Sequence, residues 1–249
     1  MPKDESRNPT PASEEEERRW DKALSKRYEH YWYNAPKKID LRDLEGFGEA
    51  AVRIHAEGNT HLHLDRLYTL WQGIMDMPAR AAAVIEIGAY QGGSAKFMAE
   101  ALRHAGRPLP FYVCDTFEGH VEVDATLDPK HKVGVQFQST SEERVTRYLA
   151  DCEFVHVVKG DIRDTARRLS LNHELGFVHI DVDVFPITKF CLEFFGPLVS
   201  LGAMVVIDDY GFRTCPGAKK AVDDFMIDNT AFRRLHLLTG QAALVRIAV

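Results

Sequence analysis

Cysteine is scarce in this sequence, and its few cysteines form no CxxC pair. Cys114, Cys152, Cys191 and Cys215 are scattered along the chain, and the first three stand in or beside apolar segments. A free thiol in such a segment behaves as a small hydrophobic side chain. This usage is typical of a reducing compartment, and we expect a cytoplasmic protein.

The sequence also lacks a basic stripe and a long apolar run. Its 249 residues carry a formal net charge of −6, with charged residues of both signs intermixed. Neither nucleic acid nor an anionic membrane is therefore expected as a main partner. The first residues, PKDESRNPTPASEEEERR, contain no apolar signal-peptide core, and no stretch reaches about 18 apolar residues. We expect a protein that is neither secreted nor membrane-spanning.

Composition changes twice along the chain and predicts three regions. Residues 1–19 are rich in Pro, Ser and Glu and predict a disordered acidic tail. Residues 20–78 predict a helical extension, because aromatic and apolar residues recur at helical spacing from Trp20 and again through HLDRLYTLWQGIMDM. Residues 79–249 form the expected catalytic domain. Since two apolar stripes of the extension need partners, we expect a lid or a subunit interface, and a homo-oligomer.

From residue 81 onward, short β segments alternate with helices. Strands are predicted at AAVIEIG, PFYVCD, FVHVVKGD, GFVHIDVDV and GAMVVIDDY, and helices at GSAKFMAEALRHAG, SEERVTRYLADC, TARRLSLN, ITKFCLEFFGPLV and GAKKAVDDFMID. This alternation predicts an α/β fold with a mostly parallel sheet. The last segment, FRRLHLLTGQAALVRIAV, predicts two strands around a Thr-Gly-Gln turn, an antiparallel hairpin at the sheet edge.

A glycine-rich loop follows the first strand of the predicted domain. It reads EIGAYQGGS, and Gly88, Gly92 and Gly93 permit a tight turn and close approach of a ligand to the backbone. The order is not the GxGxxG of dinucleotide-binding folds. It resembles motif I of class I S-adenosylmethionine-dependent methyltransferases, whereas an ordinary strand-to-helix turn is the alternative.

Two further predicted strands end in an aspartate. Asp115 closes the second strand, at the place where a carboxylate accepts hydrogen bonds from ribose hydroxyls in Rossmann-like folds. Asp161 closes the third, where the methyltransferase resemblance implies a contact to the adenine amino group. Each aspartate has a simpler alternative role as a helix cap.

Carboxylates are most dense at the ends of the last two parallel strands. VHIDVDVF places Asp181 and Asp183 two residues apart in an apolar segment, which predicts that both point to one face of a strand. VVIDDY places Asp208 and Asp209 at the end of a neighbouring strand. Buried like charges need a cation, and oxygen ligands without histidine or cysteine suit Mg²⁺, with Mn²⁺ or Ca²⁺ as alternatives. The other alternative is that these aspartates cap helices or pair with Lys189 or Arg213.

Four motifs together carry a specific resemblance. IEIGAYQGGSA, CDTFEGH, HIDVDVF and IDDYGFRTCPGAKKAVDDF, in this order over residues 60–229, are similar to the macrocin O-methyltransferase family, enzymes that methylate sugar hydroxyls of natural products. The resemblance implies a Rossmann-like class I fold with a seven-stranded sheet. It implies S-adenosylmethionine contacts from Glu86, Gly88, Ala89, Tyr90, Gly92, Ser94, Asp115, Thr116, Asp161 and Asp181.

The same resemblance implies the roles of the acidic residues. Asp181, Asp208 and Asp209 would ligate Mg²⁺, and Asp183 would be the general base. Val182 and Phe185 depart from the family's usual Gly and Tyr, so the pocket shape is expected to differ. The related catechol-type enzymes use a lysine base three residues after the first metal aspartate, where this chain has Val184.

The expected reaction is Mg²⁺-dependent methyl transfer from S-adenosylmethionine to one of two neighbouring hydroxyls of a small molecule. A sugar acceptor is favoured, and a catechol or phenol is the alternative. His120 stands in a loop after a strand and is a second catalytic candidate, although a solvated loop histidine is the commoner case. His61 and His63 are expected at the surface or in a lid.

Three other classes share single features with this chain. A haloacid-dehalogenase-type phosphohydrolase also has D-x-D after an apolar strand, but that motif normally begins its domain. A D-x-D glycosyltransferase leaves the glycine loop without a role. A non-enzymatic nucleotide-binding regulator gives no reason for four acidic residues at one rim of the sheet.

Overall fold

A computed structural model describes residues 46–171 and 174–248 of the chain. The tail predicted for 1–19 and the amphipathic helix predicted from Trp20 lie outside the described residues. Residues from Glu49 onward belong to one compact unit, Glu49–Val249, which contains every strand of the structure.

Seven strands form one sheet in the order β3-β2-β1-β4-β5-β7-β6. In chain order they are β1 Ala83–Ile87, β2 Phe111–Asp115, β3 Val155–Lys159, β4 Leu175–Ile180, β5 Val199–Ile207, β6 Phe232–His236 and β7 Ala242–Arg246. The pairings from β3 to β5 are all parallel, and only β7 runs antiparallel to its neighbours. The prediction of a mostly parallel α/β sheet is confirmed.

Helices precede and connect the strands. They are α1 Phe47–Glu57, α2 Leu64–Met75, α3 Gly93–His104, α4 Glu142–Tyr148, α5 Ile162–Thr165, α6 Phe185–Phe195 and α7 Pro216–Phe225, with 3₁₀ turns at Ala166–Arg168 and Gly196–Leu198. Strands β1 and β4 are buried at every position, as expected for strands covered on both faces. Their continuous apolar runs therefore reflect a central place in the sheet.

Three adjacent strands end level with one another. The strand pairing puts Ile87 opposite Ile180, and Ile180 opposite Ile207. The loops that begin at Gly88, Asp181 and Asp208 consequently start side by side at the carboxyl edge of the sheet. In open α/β sheets, this edge is where ligands bind.

The C-terminal hairpin is confirmed. Strands β6 and β7 pair antiparallel, and Leu237 N–H donates to the Gln241 carbonyl across the turn, at 2.9 Å. Gly240 occupies the left-handed region at φ 89°, which the turn requires. The hairpin packs β7 against β5 and leaves β6 at the sheet edge.

Helix α2 packs directly onto the sheet. Its apolar stripe, Leu67, Leu70, Trp71 and Ile74, is buried. A Cβ at Gly73 would lie 2.1 Å from the Phe177 ring on β4, so glycine is needed for this close approach. One of the two apolar stripes in the predicted extension is thus satisfied within the chain, while the domain boundary at 78/79 and the homo-oligomer stay predictions.

Two local predictions are wrong, and one helix was not predicted. Strand β4 ends at Ile180, so Asp181 and Asp183 are loop residues and strand alternation does not direct them. The helix expected at TARRLSLN begins earlier, at Ile162, because Asp161 caps it there. Helix α1 is a separate element that the sequence patterns did not distinguish.

Within the described part of the chain, no helix combines the length and apolar character needed to cross a bilayer.

Candidate active site

A cavity of about 220 Å³ opens at the level strand ends. Its walls come from the loops after β1, β2, β3, β4 and β5 and from the segment before α2. Lining residues are Asn59, Thr60, His61, Leu62, Arg66, Ile87, Gly88, Ala89, Tyr90, Ser94, Cys114, Asp115, Thr116, Gly119, His120, Val121, Phe137, Gly160, Asp161, Ile162, Asp181, Val182, Asp183, Ile187 and Asp209.

The glycine loop approaches two other backbone segments closely. Gly88 has φ 93°, and a Cβ there would lie 1.8 Å from the Asp181 carbonyl oxygen. A Cβ at Gly93 would lie 2.5 Å from the Asn59 carbonyl oxygen. Both positions therefore require glycine, and the loop is more than an ordinary turn because it joins β1, β4 and the segment before α2 around the cavity.

Asp115 is held by the glycine loop and by its own loop. Its carboxylate accepts hydrogen bonds from Tyr90 N–H at 2.7 Å and from Phe117 N–H at 2.6 Å. Burial raises the pKa of Asp115, and these backbone amides oppose that rise. Tyr90 and Phe117 both have left-handed backbone angles, at φ 48° and 56°, so the carboxylate fixes two unusual conformations at the cavity wall.

Asp161 lies in the cavity wall but has close protein partners. It caps α5 by accepting from Arg163 N–H at 2.9 Å, and it also accepts from the Arg163 guanidinium at 2.6 Å. Burial alone would raise its pKa, but the bonds from Arg163 outweigh burial and hold the pKa below the usual range. The helix-cap alternative considered for this residue is therefore correct, and its adenine contact stays a prediction.

Three carboxylates from two loops meet in the cavity. Asp183 N–H donates to Asp209 at 3.2 Å, and Asp183 has a left-handed backbone at φ 61°. This turn, rather than strand alternation, brings Asp183 beside Asp181. Burial first, and repulsion from the neighbouring carboxylate second, raises the pKa of Asp181, Asp183 and Asp209 to about 7 each.

Asp208 lies next to Asp181 but outside the cavity lining, since ligand atoms of Asp208, Asp181 and His179 lie within 4.8 Å of one another. It forms an ion pair with Arg66 of α2, accepts from Gln241 Nε2 at 2.7 Å, and lies 3.4 Å from His179 Nε2. Its side chain is buried and does not line the cavity. Asp209 lines the cavity, whereas Asp208 contacts α2 through Arg66.

Glu86 and Gly92 were predicted to contact the cofactor, but neither lines the cavity. The Glu86 side chain is fully buried, with its carboxylate 2.9 Å from His179 Nδ1, and it does not line the cavity. Gly92 precedes α3 in a left-handed conformation at φ 83° and also lies outside the lining. The other predicted cofactor residues line the cavity: Gly88, Ala89, Tyr90, Ser94, Asp115, Thr116, Asp161 and Asp181.

His120 is a buried neighbour of the carboxylates rather than a solvated loop residue. Its side chain is 7% exposed, and Nε2 lies 3.8 Å from an Asp183 carboxylate oxygen. Burial and the nearby His131 lower the pKa of His120 to about 4. It is therefore neutral near pH 7.

Sequence reasoning missed several residues of the site. Arg66 is the only lysine or arginine among the described lining residues, and its guanidinium also comes within 4.0 Å of Asp209. His61 is exposed, as predicted, and it stacks on Tyr90 at the cavity wall with ring centroids 5.4 Å apart. Buried Asp128 accepts from Phe185 N–H at 3.0 Å and ties the loop after β2 to α6. Of the missed residues, only Arg66 could have been noticed in the sequence, as a basic side chain in the first turn of α2.

The donor set suits a divalent cation. Three carboxylates with raised pKa values share a cavity with one guanidinium, and that guanidinium already pairs with a fourth carboxylate. Ionisation of all three therefore leaves an excess of negative charge that a hard cation would neutralise.

Comparison with known proteins agrees with this geometry. The family model described as Macrocin-O-methyltransferase (TylF) matches residues 60–243. Demethyldecarbamoylnovobiocin O-methyltransferase of Streptomyces niveus is 27% identical over 182 residues, 68% of this chain and 68% of the relative. A second relative, 8-demethyl-8-(2,3-dimethoxy-alpha-L-rhamnosyl)-tetracenomycin-C 4'-O-methyltransferase of Streptomyces olivaceus, is 30% identical over 152 residues, 57% of each chain.

Solved structures share the fold. The O-methyltransferase NovP superimposes with a TM-score of 0.61 at 23% identity, covering 77% of this chain and 83% of that chain. A calicheamicin methyltransferase superimposes with a TM-score of 0.58 at 21% identity, covering 80% and 91%. The class I methyltransferase fold is thereby confirmed.

The family match covers most of the chain and includes the loops after β1, β2, β3, β4 and β5 that build the cavity. It excludes the phosphohydrolase, the glycosyltransferase and the non-enzymatic regulator considered from the sequence. The chain belongs to the macrocin O-methyltransferase family and is an S-adenosylmethionine-dependent O-methyltransferase.

Proposed function

We propose that the enzyme is Mg²⁺-dependent and methylates a sugar hydroxyl of a glycosylated natural product. The observation that carries this proposal is the group of three cavity-facing carboxylates, Asp181, Asp183 and Asp209. The tetracenomycin relative supports the sugar, since its name specifies the 4' position of a rhamnosyl group. A catechol or phenol, which can also offer two neighbouring oxygens, is the alternative acceptor.

The cofactor pocket is proposed at the glycine loop and Asp115. Backbone N–H groups at the start of α3 and the close backbone at Gly88 suit the methionine part of the cofactor. Asp115 retains acceptor capacity beyond its two backbone bonds, because each carboxylate oxygen has two lone pairs for ribose hydroxyls. Asp161 is proposed at the adenine end of the same wall.

Asp181 and Asp209 are the proposed Mg²⁺ ligands. Both line the cavity, and Arg66 is the only arginine among the described residues that line it with them. Asp208, implied as a third ligand by family resemblance, is proposed instead as an anchor that holds Arg66 and Gln241 beneath the site. When bound, Mg²⁺ would orient two neighbouring hydroxyls and lower the pKa of the reacting one.

Asp183 is the proposed general base. In an SN2 transfer the acceptor oxygen forms a bond to the methyl carbon, the carbon–sulfur bond breaks, and its electron pair stays on sulfur. The acceptor proton passes to Asp183, whose pKa of about 7 makes it a stronger base than an ordinary carboxylate. His120, with Nε2 3.8 Å from an Asp183 carboxylate oxygen, is the second proposed catalytic residue and would contact the acceptor beside the base.

The first prediction separates the two aspartates of the cofactor wall. Asp115→Asn replaces an acceptor of two backbone N–H groups and should weaken S-adenosylhomocysteine binding at least about tenfold, because bonds to charged groups contribute about 1.5–3 kcal/mol. Asp161→Asn keeps a good helix cap and should weaken binding less than about threefold. Calorimetric titration measures both, and a larger loss for Asp161→Asn would contradict this assignment.

The second prediction concerns pH and stability. The folded pKa of Asp209, about 7, exceeds the 3.8 of an unperturbed aspartate, so this group stabilises the fold at low pH and loses that contribution as pH rises through 7. In EDTA, Asp209→Asn should therefore raise the melting temperature at pH 8 and much less at pH 5. Added Mg²⁺ should stabilise the wild type at pH 8, and the variant far less.

The control for this experiment is Asp224→Asn, which removes a surface ion pair with Lys220. Its melting temperature should change little at either pH, and its response to Mg²⁺ should equal that of the wild type. A destabilised Asp209→Asn protein at pH 8 in EDTA would show that the cluster is not electrostatically strained.

The third prediction tests the reaction itself. With methyl-labelled S-adenosylmethionine and Mg²⁺, the wild type should methylate glycosides with vicinal hydroxyls and not their aglycones. Asp183→Asn should lower kcat at least about a hundredfold, as loss of a general base does, while S-adenosylhomocysteine affinity stays within about threefold. Glu118→Gln, at an exposed ion pair with Lys159, is the matched control and should retain activity.

Each failure of this assay has a distinct meaning. Full turnover by Asp183→Asn would rule out the base assignment and leave the acceptor class intact. Transfer to catechols and to no glycoside would rule out the sugar. Turnover unaffected by EDTA would rule out the metal.

A further inference from the structure

Two histidines lie beside the proposed base and form a cluster that the methyl-transfer reaction does not fully use. His120 Nε2 lies 3.2 Å from His131 Nδ1 and 3.8 Å from an Asp183 carboxylate oxygen. One ligand atom from each of the three side chains lies within 4.8 Å of the others. This is a mixed nitrogen and oxygen set, unlike the all-carboxylate pair of Asp181 and Asp209.

The orientation of His131 suits metal binding. Its Nε2 lies 3.0 Å from the Thr214 carbonyl oxygen, which can only accept, so Nε2 carries the hydrogen. Nδ1 is therefore the unprotonated nitrogen, and it faces His120. A backbone carbonyl that fixes the tautomer of a histidine in this way is the usual outer partner of a metal-binding imidazole.

The loop that carries both histidines is held in place. Gly134 N–H donates to the His120 carbonyl at 2.9 Å, and His131 N–H donates to the Asp128 carbonyl at 3.0 Å. Asp128 in turn accepts from Phe185 N–H at the start of α6. The two imidazoles are consequently positioned before any ligand arrives, as a metal site requires.

The chemistry of this set favours zinc over magnesium. Imidazole and carboxylate ligands suit Zn²⁺, whereas Mg²⁺ prefers oxygen ligands alone. Tetrahedral ligands about 2.0–2.2 Å from zinc lie roughly 3.3–3.6 Å apart, close to the two separations seen at His120. We propose that His120, His131 and Asp183 form a Zn²⁺ site beside the Mg²⁺ ligands. The Cys215 thiol, 3.3 Å from an Asp183 carboxylate oxygen, adjoins this site.

Zinc at this site would act as an inhibitor. A carboxylate that binds Zn²⁺ cannot also accept the acceptor proton, so an occupied site removes Asp183 from the reaction. This consequence rests on the proposed base role of Asp183. The binding of zinc does not depend on that role, so binding and inhibition are measured in separate experiments.

The binding experiment uses the full-length protein with excess Mg²⁺ and a thiol-free buffer. Co²⁺, a spectroscopic substitute for Zn²⁺, should bind one per chain with the visible absorption of a four-coordinate ion, and Zn²⁺ should displace it. His131→Gln should weaken binding at least about tenfold, and so should His120→Gln. His156→Gln, at an exposed histidine of β3, is the matched control and should bind as the wild type does.

Melting curves for each variant test whether misfolding causes any loss of metal binding. If His131→Gln fails to fold, His120→Gln is used in its place. Absence of Co²⁺ and Zn²⁺ binding in excess Mg²⁺ would overturn the site, and so would equal binding by wild type and both site variants.

The inhibition experiment follows methyl transfer at fixed Mg²⁺. Zn²⁺ should inhibit the wild type, and His131→Gln should need at least about tenfold more Zn²⁺ for the same inhibition. If zinc binds but the wild type keeps its full rate, the site stands and the inhibitory role is overturned, together with the assignment of Asp183 as the base.

Discussion

The repulsion among Asp181, Asp183 and Asp209 is the constraint on which the rest of the site depends. Three carboxylates lie in one cavity with a single guanidinium, and burial with mutual repulsion raises the pKa of each to about 7. A fold selected for stability alone would not retain such a group, because buried like charges are costly. The proposed function, which needs a cation and a base side by side, would account for its presence.

The sheet imposes this arrangement through the level ends of β1, β4 and β5. Gly88 lets the loop after β1 pass the Asp181 carbonyl, and the left-handed turn at Asp183 directs that carboxylate toward Asp209. Beneath them, Asp208 binds Arg66 and Gln241, so helix α2 and strand β7 support the loop after β5. The cavity wall at Gly88 and the carboxylates of Asp181, Asp183 and Asp209 are therefore positioned by the same few contacts.

Much of this could be predicted from the sequence because it depends on local pattern. Alternating strand and helix segments predicted the parallel sheet, and strand-end residues such as Asp115 and Asp209 were correctly expected at its rim. Other features depend on contacts between distant parts of the chain, which periodicity does not report. Glu86 binds His179 in the core, Arg66 reaches Asp208, and Asp183 owes its direction to a loop conformation that strand alternation does not predict.

The most direct test of the central claim is the position of a bound divalent cation. Crystals grown with S-adenosylhomocysteine and soaked in Mn²⁺, an anomalous scatterer with oxygen preferences like those of Mg²⁺, would locate it. The carboxylate cluster predicts one strong anomalous peak in contact with Asp181 and Asp209, with Asp208 still paired to Arg66. No peak at these carboxylates, in crystals that contain the cofactor product, would contradict the account of the site as a metal-dependent centre.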